Sequence, residues 1–319
     1  MAGSIPASLS VDKATGAVAT DRPQRPLSLS GEAWRRFRKH RLAVASMIGL
    51  LLIIATIGLG PTLWKVPIND IDFSAKLQSP SFAHPFGTDD LGQDVLARLI
   101  YGGRISLAVG FAAMFVALIV GVMIGAIAGM ASGRIDAALM WMTDLFLSLP
   151  QLPLLLLVIY LFRDALKGAL GVEMGVFVLI VLVIGGLRWM PVARLVRAQF
   201  LSLREKEFVE AARAIGVSNR RIIFRHILPN LAGSIIVVAT LAVAGAMLTE
   251  TALSFLGLGI RPPEVSLGLL INTYQAAFRT RPWLFWFPAA SIVLICLCVN
   301  FIGDGLRDAF DPKQTRARA

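Results

Sequence analysis

Four stretches of this chain contain no charged residue over a length that would cross a lipid bilayer. They are residues 42–60, 105–133, 231–249 and 282–303, which comprise 19, 29, 19 and 22 residues. About 20 consecutive apolar residues span the hydrocarbon core of a bilayer. Because lipid offers no hydrogen-bond partners, each such stretch must satisfy its own backbone, and a helix does so. The sequence therefore predicts an all-α integral membrane protein.

Two weaker stretches bring the number of predicted membrane-spanning helices to six. Residues 137–162 contain one acid, Asp144, and two prolines, Pro150 and Pro153, and residues 170–187 are uncharged except for Glu173. The composition agrees, since 16% of the residues are charged, against about 25% in soluble proteins. Asp144 has three interpretations: a group in the transport pathway or its gate, a solvated acid at the end of its span, or the partner of an arginine.

The distribution of basic residues predicts the orientation. Of the 31 lysines and arginines, 22 lie in the two tails, the turn 133–136 and the segment 188–226. An even number of spans places these regions on one side, and cytoplasmic loops carry the Lys/Arg excess. Both termini are therefore predicted to be cytoplasmic. The net charge of +11 then reflects topology and lipid contact, and we expect no nucleic-acid partner.

Between the fourth and fifth spans lies a polar, basic segment with the pattern of two short helices. Val209, Ala212 and Ile215 recur every third residue and predict a narrow apolar stripe. Gly216 suits the left-handed residue that ends a helix, and Ser218 suits the N-cap of the next helix. The segment 208–230 is thus predicted to be a helix-turn-helix outside the membrane.

The same segment resembles the EAA loop in the membrane subunits of bacterial ABC importers. The residues that carry this resemblance are Glu210, Ala211, Ala212, Gly216, Ile227, Leu228 and Pro229. The resemblance implies six transmembrane helices of the ABC importer permease type, with a cytoplasmic coupling helix-turn-helix that docks into an ATPase subunit.

Three further stretches are similar to the dipeptide, oligopeptide and nickel permeases, and to the C-type subunit of the dipeptide permeases in particular. They are residues 86–107, 250–259 and 300–312, and the likeness extends over about 33–313. The chain departs from that pattern at Gln93 and Ala97. Four regions are predicted: a disordered cytoplasmic tail (1–32), a first transmembrane helix with an external segment (33–104), a core permease domain with five helices (105–304) and a cytoplasmic tail (305–319).

The resemblance also implies a function and an assembly. The chain would be the transmembrane subunit of an importer in the bacterial inner membrane, moving di- or oligopeptides, or alternatively nickel or another small solute. Its partners would be a second homologous permease subunit, two ATP-binding subunits, an external solute-binding protein and membrane lipid. The chain itself would bind no cofactor, because ATP would be used by the partners.

Motifs for chemistry are missing from the sequence. There is no GxxxxGK[ST] phosphate loop, and neither a nucleophile–base arrangement nor a zinc-ligand spacing stands out. We therefore expect no enzymatic activity. An intramembrane protease would need paired catalytic groups, and a secondary transporter would need inverted repeats with several buried ionisable residues; neither pattern is evident.

Three local expectations concern packing. Gly121, Gly125, Gly129 and Gly133 recur every fourth residue and predict a smooth helix face. A separate amphipathic helix is predicted from Thr88, with an ion pair between Asp94 and Arg98. The apolar loop at 252–259 is predicted to fold back toward the helix bundle.

Overall fold

The computed structural model describes residues 29–131 and 133–310. These residues form helices and connecting segments, with no strand among them and one isolated antiparallel bridge between Thr88 and Asp94. The α-helices are α1 (Leu29–Phe37), α2 (Arg41–Leu63), α3 (Val95–Ala131), α4 (Gly133–Ser148), α5 (Gln151–Leu170), α6 (Val172–Gly186), α7 (Trp189–Arg204), α8 (Glu207–Ala214), α9 (Asn219–Arg221), α10 (Leu228–Phe255), α11 (Leu267–Tyr274) and α12 (Pro282–Phe310). A π-helical turn, Ile222–Ile227, joins α9 to α10.

Six membrane spans are compatible with this architecture. In the described part of the chain, four continuous helical stretches are long and apolar enough to cross a bilayer: α2, α3, the run from α9 through α10, and α12. Two bent pairs bring the number to six when each pair counts as one span, α4 with α5 and α6 with α7, bent by 90° and 40°. The all-α membrane fold predicted from the sequence is confirmed.

The third predicted span is not one straight helix. The chain breaks at Leu149–Pro150, between α4 and α5. Proline cannot donate the backbone hydrogen bond that would continue α4, and it disfavours a helical conformation of the residue before it. The span predicted over 137–162 is therefore a bent pair of helices, a shape that the sequence analysis did not predict.

Three of the four spaced glycines form the predicted close helix contact, between α3 and α7. A Cβ on Gly125 would lie 2.5 Å from the carbonyl oxygen of Ala193, and one on Gly129 would lie 2.4 Å from the Cβ of Phe200. Gly121 faces Val192 in the same way. Gly133 begins α4, and a Cβ added to it would meet no atom within 4 Å, so its inclusion in this face was wrong.

The segment between α2 and α3 differs from the prediction. No helix starts at Thr88: its hydroxyl instead contacts the carbonyl of Ala75, and the helix begins at Val95 as part of α3. The cap comes from Asp94, whose carboxylate accepts from Ala97 N at 2.7 Å. Arg98 pairs with Asp89 at 2.7 Å and not with Asp94, because the loop brings the Asp89 carboxylate beside it.

The loop after α10 folds back onto the bundle, as the sequence predicts. Ile260 is buried, and its N–H donates to the hydroxyl of Ser254 at 3.1 Å. Ser254 and Ser106 both donate to the fully buried carboxylate of Glu250, at 2.6 and 2.9 Å. This network ties α3, α10 and the loop together.

The first and last helices of the described residues, α1 and α12, pack together, and Phe37 of α1 is buried there with Ala43 and Ala309. The described part of the predicted N-terminal tail, residues 29–32, is helical. Residues 1–28 and 311–319, which make up most of the two predicted tails, lie outside the described residues. Cys296 and Cys298 are free thiols buried in α12.

Candidate docking surface

The segment between α7 and α10 forms a compact unit, here called the docking segment (residues 205–227). It contains α8, the turn 215–218, α9 and the π-helical turn. Arg204, at the end of α7, donates to the carbonyl of Gly129 near the end of α3, at 3.0 Å. The docking segment therefore lies at the end of the bundle where α3 passes into α4.

The inner face of the docking segment packs against the chain's own helices. Val209, Ala212, Ile222 and Ile227 are all buried, in a cluster that includes Phe200 of α7 and Leu231 of α10. Burial of apolar surface is the main stabilising contribution to such a contact. Two of the three residues of the predicted apolar stripe, Val209 and Ala212, therefore belong to the chain's own core. The third, Ile215, is 81% exposed and lies outside that core.

Gly216 ends α8 as the sequence predicts. Its φ is +77°, and two hydrogen bonds close the turn: Gly216 N to Arg213 O at 2.9 Å and Val217 N to Ala212 O at 3.0 Å. This is the Schellman arrangement, in which the residue after the C-cap is left-handed. Ser218 does occupy the N-cap position of α9, but its side chain makes no capping hydrogen bond.

The π-helical turn ends at Ile227, two residues before Pro229, which is the second residue of α10. Leu228 N donates to Ile223 O, five residues back. Pro229 has no N–H, so the carbonyl of Arg225 loses the donor that a regular α-helix would supply. A single wide turn accommodates this gap without ending the helix. Leu228 is half-buried and Pro229 exposed.

The outer face of the docking segment is exposed and combines apolar and basic groups. Phe208, Ile215 and Phe224 are large exposed hydrophobic side chains. Around them lie Glu210, Ala211, Arg213, Arg220, Arg221 and Arg225, also exposed. Aromatic and arginine side chains are typical of protein–protein contacts. Sequence reasoning did not single out Phe208 and Phe224, and it assigned Ile215 to the apolar stripe, although bulky apolar residues in a basic segment are a readable signal.

The predicted site residues consequently separate into two groups. Glu210, Ala211, Gly216 and Pro229 are exposed and Leu228 is partly exposed, whereas Ala212 and Ile227 are buried in the chain's own core. Only the first group is open to a partner. The second group positions the docking segment.

Two ion pairs fix α7 to α4. The guanidinium of Arg197 binds Asp136 through two hydrogen bonds, of which Nη2 to Oδ2 is 2.6 Å. Arg194 pairs with Asp144, whose side chain is 58% exposed. Of the interpretations of Asp144, the partnership with an arginine is thus observed; a role in a transport pathway stays a prediction.

Comparison with known families defines the class of protein. Residues 121–316 match the model of the family "Binding-protein-dependent transport system inner membrane component". Residues 28–80 match the "N-terminal TM domain of oligopeptide transport permease C". The chain belongs to the binding-protein-dependent transport permeases, so it is a multi-pass transmembrane subunit of an ABC importer, a machine that works with separate ATPase subunits.

Curated relatives and solved structures agree with this assignment. The chain is 43% identical to the "Oligopeptide transport system permease protein OppC" of Mycobacterium tuberculosis, over 89% of this chain and 94% of the relative. It is 44% identical to the protein of the same name from Escherichia coli K12, over 90% and 92%. Among structures, it is similar to the inward-facing MetNI methionine ABC transporter, with a TM-score of 0.54 and 16% identity, over 67% of this chain and 96% of that one; this supports the fold.

Proposed function

We propose that this chain forms one half of the transmembrane pathway of an ATP-driven importer for oligopeptides. The observation that carries the substrate class is the identity of 43–44%, over about nine-tenths of the chain, with permeases named for oligopeptide transport. Nickel or another small solute is the alternative, since the residues 86–107, 250–259 and 300–312 are also similar to nickel permeases.

The assembly would contain a second homologous permease, two ATP-binding subunits and an external solute-binding protein. The docking segment would lie in the cytoplasm with both termini, and the importer in the bacterial inner membrane. The Lys/Arg distribution supports this orientation even without Arg188, Arg194 and Arg197, which belong to the bent pair of α6 and α7, since 19 basic residues then remain on this side against nine on the other. The exposed face around Phe208, Ile215 and Phe224 would contact an ATPase subunit. The chain would bind no cofactor and have no enzymatic activity, with ATP hydrolysed by its partners.

The contacts of the docking segment suggest how ATP binding reaches the membrane. Its inner face is packed against α7 and α10, and Arg204 joins it to α3. Closure of the ATPase pair would therefore move these helices together with the segment. Such motion of packed helices is how transporters alternate access to a central site.

Peptide uptake in cells tests this function. A strain that lacks the chain should lose uptake of a labelled tripeptide, and the intact gene should restore it only when the ATPase partners are active. The purified chain alone should hydrolyse no ATP. Peptide uptake that is unaffected by deletion, or a cognate binding protein that takes nickel and no peptide, would reject the substrate assignment. Transport by the isolated chain on an ion gradient would reject the ABC mechanism.

A further inference from the structure

Arg188 occupies an unusual place between two membrane helices. It is the second of the two residues, after Leu187, that separate α6 from α7 at the 40° bend of that pair. Its Nη2 donates to the hydroxyl of Thr249 on α10 at 2.8 Å. Within the described residues no carboxylate lies at ion-pair distance from this guanidinium.

The arginines within α7, which follows Arg188, are paired with carboxylates. Arg194 pairs with Asp144 and Arg197 with Asp136. A charged side chain inside the membrane is costly, and such residues usually pair with an opposite charge or face a water-filled path. Arg188 is half-buried and has a neutral partner, so its charge is available to an anion from outside the chain.

Space beside Arg188 is provided by α10. A Cβ on Gly245 would lie 2.3 Å from Arg188 Nη1, so a larger residue there would displace the guanidinium from this position. Gly245, Leu248 and Thr249 have the i, i+3, i+4 spacing of one helix face. Leu248 is 51% exposed. The guanidinium therefore adjoins a face of α10 that the chain leaves open.

The two helices that carry this arrangement are the two that flank the docking segment. Arg188 immediately precedes α7, which runs to Arg204, and Thr249 lies on α10, which begins after the π-helical turn. A movement of the docking segment is therefore transmitted to both sides of the Arg188–Thr249 contact. The affinity for an anion bound here would therefore depend on the conformation of the ATPase partners.

We propose that Arg188, oriented by Thr249, binds the C-terminal carboxylate of the peptide during its passage. The inference rests on the proposed function. A transporter of varied peptides needs a contact that does not depend on side chains, and a free carboxylate is common to all of them. Guanidinium groups bind carboxylates strongly and with defined geometry. A single cation keeps the binding weak enough for release, as conduction requires.

Protection from alkylation in the assembled complex tests the site. Leu248→Cys, on a Cys296→Ala/Cys298→Ala background, places a reporter thiol beside Arg188. Its reaction with N-ethylmaleimide is followed by mass spectrometry of this chain, with millimolar trialanine or trialanine amide. Trialanine should slow the reaction several-fold and the amide should not. Arg188→Gln should raise the concentration for half-protection by about tenfold or more, since a hydrogen bond to a charged group is lost. Arg188→Lys should retain part of the protection.

Each other result would overturn the proposal. Equal protection by acid and amide, protection that persists in Arg188→Gln, or no protection by either peptide would show that Arg188 does not bind the carboxylate. If Arg188→Gln releases the second permease during purification, the arginine instead pairs with a carboxylate of that subunit. Normal chain-dependent peptide uptake alongside any of these results would reject the site and leave the proposed function standing.

Discussion

At the scale of single residues, two glycines form the same kind of turn, one before and one after the continuous helical run from α9 through α10. Gly216 ends α8 with φ +77°, and Gly257 follows α10 with φ +74°. At Gly257 the bonds from Gly257 N to Ser254 O and from Leu258 N to Leu253 O repeat the pattern seen at Gly216. A Cβ at either glycine would meet no atom within 4 Å. The cost of replacing either glycine is therefore set by its backbone conformation and not by contact with neighbouring atoms.

Because the two turns have the same geometry, substitutions at Gly257 can serve as controls for substitutions at Gly216. Gly216→Val should weaken binding of the ATPase subunits, because a left-handed conformation costs an L-residue about 1–2 kcal/mol, or about a tenfold change in population. Gly216→Asn should be tolerated better, since Asn visits this region more readily. Co-purification of the ATPase subunits with the tagged chain measures the effect. Gly257→Val is the control, with the same strain at the other end of α10, and should retain them. Equal retention by Gly216→Val and Gly216→Asn would contradict the role of this turn.

At the scale of helices, the close contact of α3 with α7 predicts a packing effect. Gly125→Ala places a Cβ 2.5 Å from the carbonyl of Ala193, which belongs to the backbone and must shift. Overpacking of this kind costs about 1–3 kcal/mol. Thermal unfolding in detergent, followed with a dye that reacts with the buried thiols of Cys296 and Cys298, should show a lower Tm. Gly58→Ala, in α2 with no atom within 4 Å, should leave Tm nearly unchanged. A Tm for Gly125→Ala equal to that of Gly58→Ala would be evidence against tight packing.

The helices also show what sequence reasoning can and cannot reach. Long uncharged runs predicted α2, α3, α10 and α12, because membrane insertion acts on local composition. The 90° bend after α4 and the fold of residues 64–94 were missed. Both depend on tertiary contacts. Arg98, for example, pairs with Asp89 and not with Asp94, which is closer in sequence, because the Asp94 carboxylate caps α3. Spacing along one helix contains no information about such a choice.

The same limit applies to the docking segment. The turn at Gly216 was predicted because its requirement is local. The side of α8 that is left exposed was not predicted, since Val209 and Ala212 would form an apolar stripe whether they pack against another chain or against Phe200. Only the position of α8 relative to α7 and α10 decides between these two contacts.

At the scale of the whole molecule, the distribution of basic residues predicts how the chain lies in the membrane. Reporter fusions after residues 75, 167 and 270 should report the outside, and fusions at 215 and 315 the cytoplasm, because cytoplasmic loops retain the Lys/Arg excess. Paired phosphatase and fluorescent-protein reporters give opposite signals at each position. An outside signal at 215 would invert the topology and remove the docking segment from any cytoplasmic ATPase.

The packing of the docking segment against α7 and α10 has a mechanical consequence. A loop that hung free on flexible linkers would absorb a pull from a partner by changing its own shape. Here Val209, Ala212 and Ile222 are seated in a core shared with Phe200 and Leu231. Close-packed interiors have low compressibility and transmit strain. Force applied at the exposed face therefore displaces α7 and α10 as whole helices, and little of the movement is absorbed by deformation of the docking segment.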